Sequence, residues 1–282
     1  MRHLFVATAA LVAFCGAPGS ALAAPVNVPA IQSTVKYQTT ATGASMFGNY
    51  ARATSKIVHD SVTDTYTLRD TGSLTITSSF APANKDVAAS DARFTVYKKI
   101  NGSTTETFRL LNLSPTNPLI ALTYTSYGQW RRSTTTTTGA SVNDTYVVFG
   151  TRTASADVPR IGSASYSTVL DGTYVNNNGA YAVSGTGSLT ANFAGGTIGY
   201  SATATGTKEV AGAPIAFGTM TGAGTIAFAS SGFSGTGAAN GSGYAMSLNG
   251  YFFGPAAAEV GGLFRITGGG GNGQGAVVGK QP

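Results

Sequence analysis

The chain has 282 residues, of which only 10% are charged, and its 17 lysines and arginines outnumber its 11 aspartates and glutamates, for a net charge of +6. The basic residues are scattered, and the only adjacent pairs are Lys98-Lys99 and Arg131-Arg132. Binding to nucleic acid requires a dense basic patch that neutralises phosphates, so this composition excludes nucleic acid as a partner.

The first 23 residues have the pattern of a cleaved export signal. Arg2 and His3 precede an apolar run over residues 4–14, and Ala21-Leu22-Ala23 supplies small residues at a cleavage site. We therefore predict a signal peptide over residues 1–23. The mature protein is expected outside the cytoplasm, either on the cell surface, secreted or in the periplasm.

Cys15, the only cysteine, lies inside this signal, so we expect no disulfide and no cysteine metal site in the mature chain. A lipid-anchored lipoprotein is the alternative interpretation. Phe14 argues against it, because a small residue is needed just before the lipid-bearing cysteine.

The next part of the chain carries most of the charges and long side chains, and it alternates apolar and polar residues in short runs. A period of two is typical of β-strands, and no segment has a sustained helical period. Turn residues such as Asn101-Gly102 and Asn117-Pro118 separate the runs. The pattern predicts strands over residues 65–69, 73–80, 93–98, 105–111, 119–127 and 145–150.

Beyond a boundary that we place within residues 156–162, charge nearly disappears and Gly, Ser, Thr and Ala dominate. The alternation continues through about eight short strands, and the last predicted hairpin turns at Gly254-Pro255. Because many inward residues are small, we expect the sheet to close into a narrow barrel filled by alternating large and small side chains.

Three segments carry a more specific pattern: YTSYGQW at residues 124–130, FGTRTASADVPRIGSASYS at 149–167, and FFGPAAAEVGGLF at 252–264. On these segments the sequence resembles the transferrin-binding-protein-like family of exported bacterial proteins. The resemblance implies an all-β lobe with an N-terminal antiparallel β handle domain over residues 24–158. A C-terminal eight-stranded antiparallel β-barrel domain over residues 159–282 would follow it.

The resemblance also implies a non-catalytic receptor that captures an iron source, either haem or an iron-carrier protein of a host or the environment. An outer-membrane translocator would be a further partner. The length fits one lobe, whereas the best-understood relatives have two and are often lipid-anchored. His59 is the single histidine after the signal, which excludes ligation of haem by two histidines and leaves tyrosine or methionine as ligands.

Aromatic and arginine side chains come together next to the polar run at residues 134–138, which we interpret as a mobile loop. Such side chains are enriched where partners dock, because they give a large contact area at a modest entropic cost. Tyr124 and Trp130 also fit a role as core anchors. The candidate ligand-binding residues are Tyr124, Tyr127, Trp130, Arg131 and Arg132.

Other motifs have simpler structural interpretations. His59, Asp60 and Asp64 fit a hairpin turn better than a metal site. The G-x-G-x-x-G pattern at residues 268–273 fits a connection between the last two strands. Glu259 and Arg265 are rare charges in the barrel half, and we expect a structural ion pair or a hydrogen-bond clamp there.

The sequence offers no catalytic motif of the G-x-S-x-G or H-E-x-x-H type, so we predict no enzyme and no cofactor, with haem retained only as a ligand. Capture of an iron source is the leading function, and a surface adhesion or structural module that binds another protein or a glycan is the alternative. An integral outer-membrane barrel is not expected, because the outward rows consist of Ser, Thr and Gly and the chain ends without an aromatic residue.

Overall fold

A computed structural model describes residues 26–40, 43–69 and 76–282, and the predicted signal peptide lies outside these ranges. The described chain consists of β-strands joined by turns and three short 3₁₀ turns at Pro82–Asn84, Phe228–Ser230 and Pro255–Ala257. None of the helical turns in these ranges has the length and apolar character needed to cross a membrane. The strands are β1 (Val26–Thr40), β2 (Ala44–Asp60), β3 (Thr65–Arg69), β4 (Thr77–Phe80), β5 (Phe94–Asn101), β6 (Thr104–Leu111), β7 (Thr125–Thr136), β8 (Gly139–Gly150), β9 (Ser163–Asn176), β10 (Gly179–Asn192), β11 (Thr197–Lys208), β12 (Ile215–Ala227), β13 (Gly232–Ala239), β14 (Ala245–Phe253), β15 (Glu259–Gly268) and β16 (Gly271–Lys280).

The predicted all-β fold class is confirmed. Strands β1 to β8 form one antiparallel sheet in the order β4-β3-β2-β1-β8-β7-β6-β5, which we call the handle, and β9 to β16 form a closed barrel. The handle curls until its two edge strands approach each other, where the Lys99 ammonium donates to the Ser78 hydroxyl at 2.6 Å. An apolar core that includes Phe80, Phe108 and Trp130 fills the space within this curl.

The handle differs from the sequence prediction at several places. Strands β1 and β2 were not predicted, and residues 119–124 form an irregular segment where a strand was expected. Ile120 and Leu122 are buried in that segment, so its apolar pattern reflects packing and not strand pairing. The polar run at residues 134–138 was predicted as a loop, but β7 extends to Thr136 and turns directly into β8. Threonine is β-branched and favours extended backbone, which explains this error.

The barrel closes where β16 pairs with β9, from Asn272 opposite Val175 to Lys280 opposite Ser167. Glycines let the wall narrow: a Cβ atom on Gly224 would lie 1.8 Å from the Ser234 carbonyl oxygen on the neighbouring strand. Gly206, Gly222 and Gly232 lie within β11, β12 and β13 and not in the turns between strands. At Gly222, where an added Cβ atom would lie 2.4 Å from the Thr236 carbonyl oxygen, close backbone approach explains the glycine.

The segment between the two sheets, residues 151–162, covers one mouth of the barrel. Val158 is buried in the barrel core, and the Thr153 hydroxyl donates to the Gly254 carbonyl oxygen at 2.6 Å. The predicted domain boundary between residues 158 and 159 falls within this segment, and it stays a prediction.

Candidate functional site at the junction of handle and barrel

β7 carries four of the five candidate residues, and the alternation of its side chains sends them to opposite sides of the handle sheet. Tyr127 and Arg131 bond to Asp171 and Glu209 and so face the barrel. Trp130 and Arg132 contact Glu106 and face the interior of the handle. The five candidates therefore do not form one ligand-binding cluster.

Asp171 on β9 is the centre of the first group of contacts across the junction. Its two carboxylate oxygens accept hydrogen bonds from Nη2 of Arg109, each 2.7 Å long. The Tyr127 hydroxyl donates to the same carboxylate at 2.7 Å. Burial, together with the negative charge of Asp171, raises the pKa of Tyr127 well above its ordinary value, so this hydroxyl stays protonated and acts as a donor.

Asp144 on β8 is the centre of the second group and is fully buried. Its carboxylate accepts from the Arg131 guanidinium at 2.6 Å, from the Gln129 amide at 2.9 Å and from the Thr173 hydroxyl of the barrel at 2.6 Å. Arg131 also pairs with Glu209, just after β11. These bonds supply the partners that a buried carboxylate requires.

Glu259, at the start of β15, is the centre of the third group. Its carboxylate accepts backbone N–H groups of Thr123, Tyr124 and Thr125 at 2.6, 2.9 and 2.9 Å. The predicted hydrogen-bond clamp is thus present at Glu259, and it joins the barrel to the handle. Burial raises the pKa of Glu259, and the three N–H donors oppose that rise. Arg265 is not part of the clamp, because its guanidinium donates to Asn272.

Each of the three groups contains one acidic residue from the barrel half of the chain. After residue 162 the sequence contains only three acidic residues, Asp171, Glu209 and Glu259, and each of them bonds to the handle. Negative charge in the barrel half is therefore used to fix the barrel against the handle. The sequence prediction missed Asp144 and Asp171, although their scarcity in otherwise hydroxylated or apolar strands was the available signal.

The buried candidates have little surface for a partner. Tyr127 is 1% exposed and Trp130 is 2% exposed, and the Trp130 indole donates to Glu106 at 3.1 Å. Tyr124 packs against Gly254, at the turn between β14 and β15. Burial favours the predicted core role of Trp130, and Tyr124, the other predicted core anchor, is partly buried against the apolar core. Tyr127 was expected as a ligand contact but is buried as well. A ligand contact at the five candidates stays a prediction.

The two remaining motifs lie at turns between strands, as the sequence predicted. Asp60 accepts the backbone N–H of Val62 at 2.9 Å in the turn after β2, and His59 Nε2 lies 3.0 Å from Asp64. No group of three or more candidate metal ligands occurs in the ranges that the structure describes. The G-x-G-x-x-G pattern spans the tight turn between β15 and β16, with positive φ angles at Gly268, Gly269 and Gly270.

Side chains fill the barrel interior. Aromatic rings pack in tilted and edge-to-face pairs near both ends, among them Tyr174 with Phe217 and Phe233 with Phe252. A cavity beside Tyr200 and Leu248 measures about 10 Å³, which holds at most one water molecule. A shallow cleft of about 370 Å³ lies outside the barrel, beside Thr123, Glu259 and Lys280.

Neither the protein-family models nor the curated proteins include a match to this chain. Among solved structures, a double mutant of transferrin binding protein B from Haemophilus parasuis is 16% identical, with a TM-score of 0.50, and the match covers 89% of this chain and 45% of that one. Transferrin binding protein B from Neisseria meningitidis is 15% identical, with a TM-score of 0.47 and coverages of 89% and 43%. The chain thus spans about half the length of these proteins. At these identities the similarity concerns the fold alone, and the chain has a fold like that of transferrin binding protein B.

Proposed function

We propose that this protein is an exported, non-catalytic binding protein that captures an iron-carrier protein. The observation that carries the proposal is the combination of a curled handle and a closed, filled barrel, an arrangement shared with transferrin binding protein B. The export pattern of residues 1–23 agrees with a place at the cell surface or in the surroundings, and an outer-membrane translocator would deliver it there.

A protein ligand fits the structure better than haem held inside the barrel. The cavity beside Tyr200 is far too small for a macrocycle. His59 is buried and bonded to Asp64. Haem would have to bind on the outer surface, so its binding is measured separately from that of the carrier proteins.

We place the contact surface at the end of the junction near Arg131. Two exposed apolar side chains lie close to this end: Ile100, next to the turn between β5 and β6, and Val210, which follows Glu209. They are 69% and 62% exposed. The Arg131 side chain is 28% exposed, and apolar and arginine side chains together are typical of the centre of a protein interface.

The test is biolayer interferometry with the mature chain immobilised and exposed to iron-loaded transferrin, lactoferrin, haemoglobin and free haem. We expect saturable binding to one carrier protein. Ile100→Asp and Val210→Asp should each weaken it at least tenfold. Ile161→Asp is the matched control, because Ile161 is 83% exposed but lies in the segment at the opposite end of the barrel. Equal losses in all three variants, or no binding to any carrier, would overturn the proposal.

Adhesion is the second candidate, and the outer wall of the barrel favours it. Cross-strand rows of hydroxyls run over this wall, as in Thr186, Thr203 and Thr219, where the last two hydroxyls lie 2.8 Å apart. These rows carry no charge, which suits a neutral glycan or a polar protein surface. A glycan array that gives saturable binding, lost in Thr203→Lys, would support adhesion in place of iron capture.

A further inference from the structure

A pocket opens between the handle and the barrel, at the end of the barrel where β9 turns into β10. It has a volume of about 80 Å³, and on the handle side it is lined by Thr39 and Gly43. A space of this volume holds about five water molecules, so a ligand of about five or six non-hydrogen atoms fits it. The barrel side of the pocket is apolar at Ala180, Val210 and Ala211 and charged at Lys208 and Glu209.

The stem of the Lys208 side chain lies in a slot between two glycines. A Cβ atom on Gly179 would lie 2.6 Å from Lys208 Cε, and a Cβ atom on Gly212 would lie 2.6 Å from Lys208 Cδ. Side chains at these two positions would therefore displace the lysine stem. The Lys208 ammonium makes no ion pair or hydrogen bond with another residue in the ranges that the structure describes. The pocket is thus lined by a cation whose stem is held in place and whose N–H donors lack a protein acceptor.

Glu209 supplies a negative charge at the same pocket. Oε1 of its carboxylate accepts from the Arg131 guanidinium, and Oε2 lies 3.4 Å from the Tyr37 hydroxyl. The contact with Tyr37 is long, so Oε2 can accept a further donor. Arg131 also pairs with Asp144, so two carboxylates share one guanidinium and one negative charge is left over.

We propose that this pocket binds a small zwitterion of the α-amino acid class, with the ligand carboxylate on Lys208 and the ligand ammonium on Glu209. A ligand that carries one charge of each sign matches both charges of the pocket, whereas a ligand with a single charge leaves one of them unmatched. The volume limits the ligand to the size of glycine or alanine, and Ala180 and Val210 offer an apolar contact for a methyl group. This site does not depend on capture of an iron carrier.

Backbone amide NMR of the isotope-labelled mature chain, at constant ionic strength, tests this proposal with glycine and L-alanine as probes. Acetate and methylammonium each carry one of the two charges and serve as matched ligands, and L-leucine tests the size limit. We expect saturable shifts of the amide signals of Gly179, Glu209 and Gly212 with glycine or alanine, in the millimolar range because the ligand has so few atoms. Acetate, methylammonium and leucine should bind at least tenfold more weakly.

Lys208→Gln should weaken binding of the amino acid at least tenfold. Glu209→Gln, which keeps an oxygen for Arg131, should do the same and serves as the second variant if the first does not fold. Lys280→Gln is the matched control, because Lys280 is also a partly exposed lysine at the end of a barrel strand, but at the opposite end of the barrel. Its affinity should equal that of the wild type.

The proposal is overturned if neither amino acid gives saturable shifts at these amides, or if acetate or methylammonium binds as tightly as the amino acid. It is also overturned if Lys208→Gln, or in its place Glu209→Gln, binds as tightly as the wild type. Equal weakening by Lys280→Gln would show attraction to general surface charge and would contradict a site at Lys208.

Discussion

Arg109 of the handle and Asp171 of the barrel are joined by two hydrogen bonds of 2.7 Å, so that one guanidinium nitrogen connects the two sheets. Tyr127 donates to the same carboxylate. Replacing this carboxylate with an amide would leave Arg109 without its counter-charge and would offer only one acceptor oxygen to Arg109 and the buried Tyr127 hydroxyl.

Asp171→Asn should lower the free energy of unfolding by about 2–3 kcal/mol, because breaking a desolvated pair leaves an uncompensated charge. Chemical denaturation followed by circular dichroism measures this change. Asp157→Asn is the control, since Asp157 is exposed, and its effect should stay within about 0.5 kcal/mol. Equal effects of the two variants would contradict a role for Asp171 in docking the barrel.

Glu259 holds three backbone N–H groups of the handle, and Glu259→Ala should lower the free energy of unfolding by about 3 kcal/mol, since buried donors lose their acceptor. Arg265→Gln, on the outside of the same strand, should change it by less than about 1 kcal/mol. Denaturant titration at neutral pH distinguishes the two. A loss below about 1 kcal/mol for Glu259→Ala would contradict the clamp.

The pH dependence of stability offers a second test of Glu259. Burial raises its pKa above the ordinary value of 4.5, so this residue contributes most stability below pH 4.5 and loses that contribution as the pH rises through the folded pKa. Glu259→Gln removes the titration. As the pH rises from 4.5 towards 7, the free energy of unfolding of the wild type should therefore fall relative to that of Glu259→Gln. A difference that grows in favour of the wild type over this range would show a lowered pKa instead.

Ionisation of tyrosine side chains should occur at higher pH in the folded protein than in the unfolded chain. Burial raises the pKa of eight of the 13 tyrosines, to about 12 for Tyr97, Tyr174 and Tyr200 and further for Tyr127 and Tyr146. These tyrosines make their full contribution to the free energy of unfolding below pH 10, and that contribution falls as the pH rises above 10. Absorbance at the tyrosinate band should show that these eight tyrosines ionise only well above pH 10 or together with unfolding. A single transition of all tyrosines near pH 10 in the folded state would contradict this burial.

Trp130, the only tryptophan, reports directly on the interior of the handle. Because it is 2% exposed, its fluorescence should resist quenching by iodide in the native protein and become accessible after unfolding. A carrier protein that docks near Ile100 should leave this resistance unchanged. Strong native quenching would place Trp130 at the surface, as the sequence-based ligand-binding hypothesis requires.

The fold class could be predicted from the sequence, because a period of two, dense glycine and an uncharged second half are all local signals. β1 and β2 escaped prediction, since their polar and small residues blur the alternation. The contacts at the junction of handle and barrel could not be predicted either. Asp144 and Asp171 lie 27 residues apart and acquire their roles only when β8 packs on β9. In β7, alternation was visible, but only the packing of the barrel shows that Tyr127 and Trp130 are buried on opposite faces.

Capture of an iron-carrier protein is tested most directly by isothermal titration calorimetry of the mature chain with each carrier in its iron-loaded form. The account predicts saturable heat with one carrier bound per lobe, and loss of that heat in the Ile100→Asp variant. No heat with any carrier, from a chain whose circular dichroism shows an intact β-fold, would contradict it.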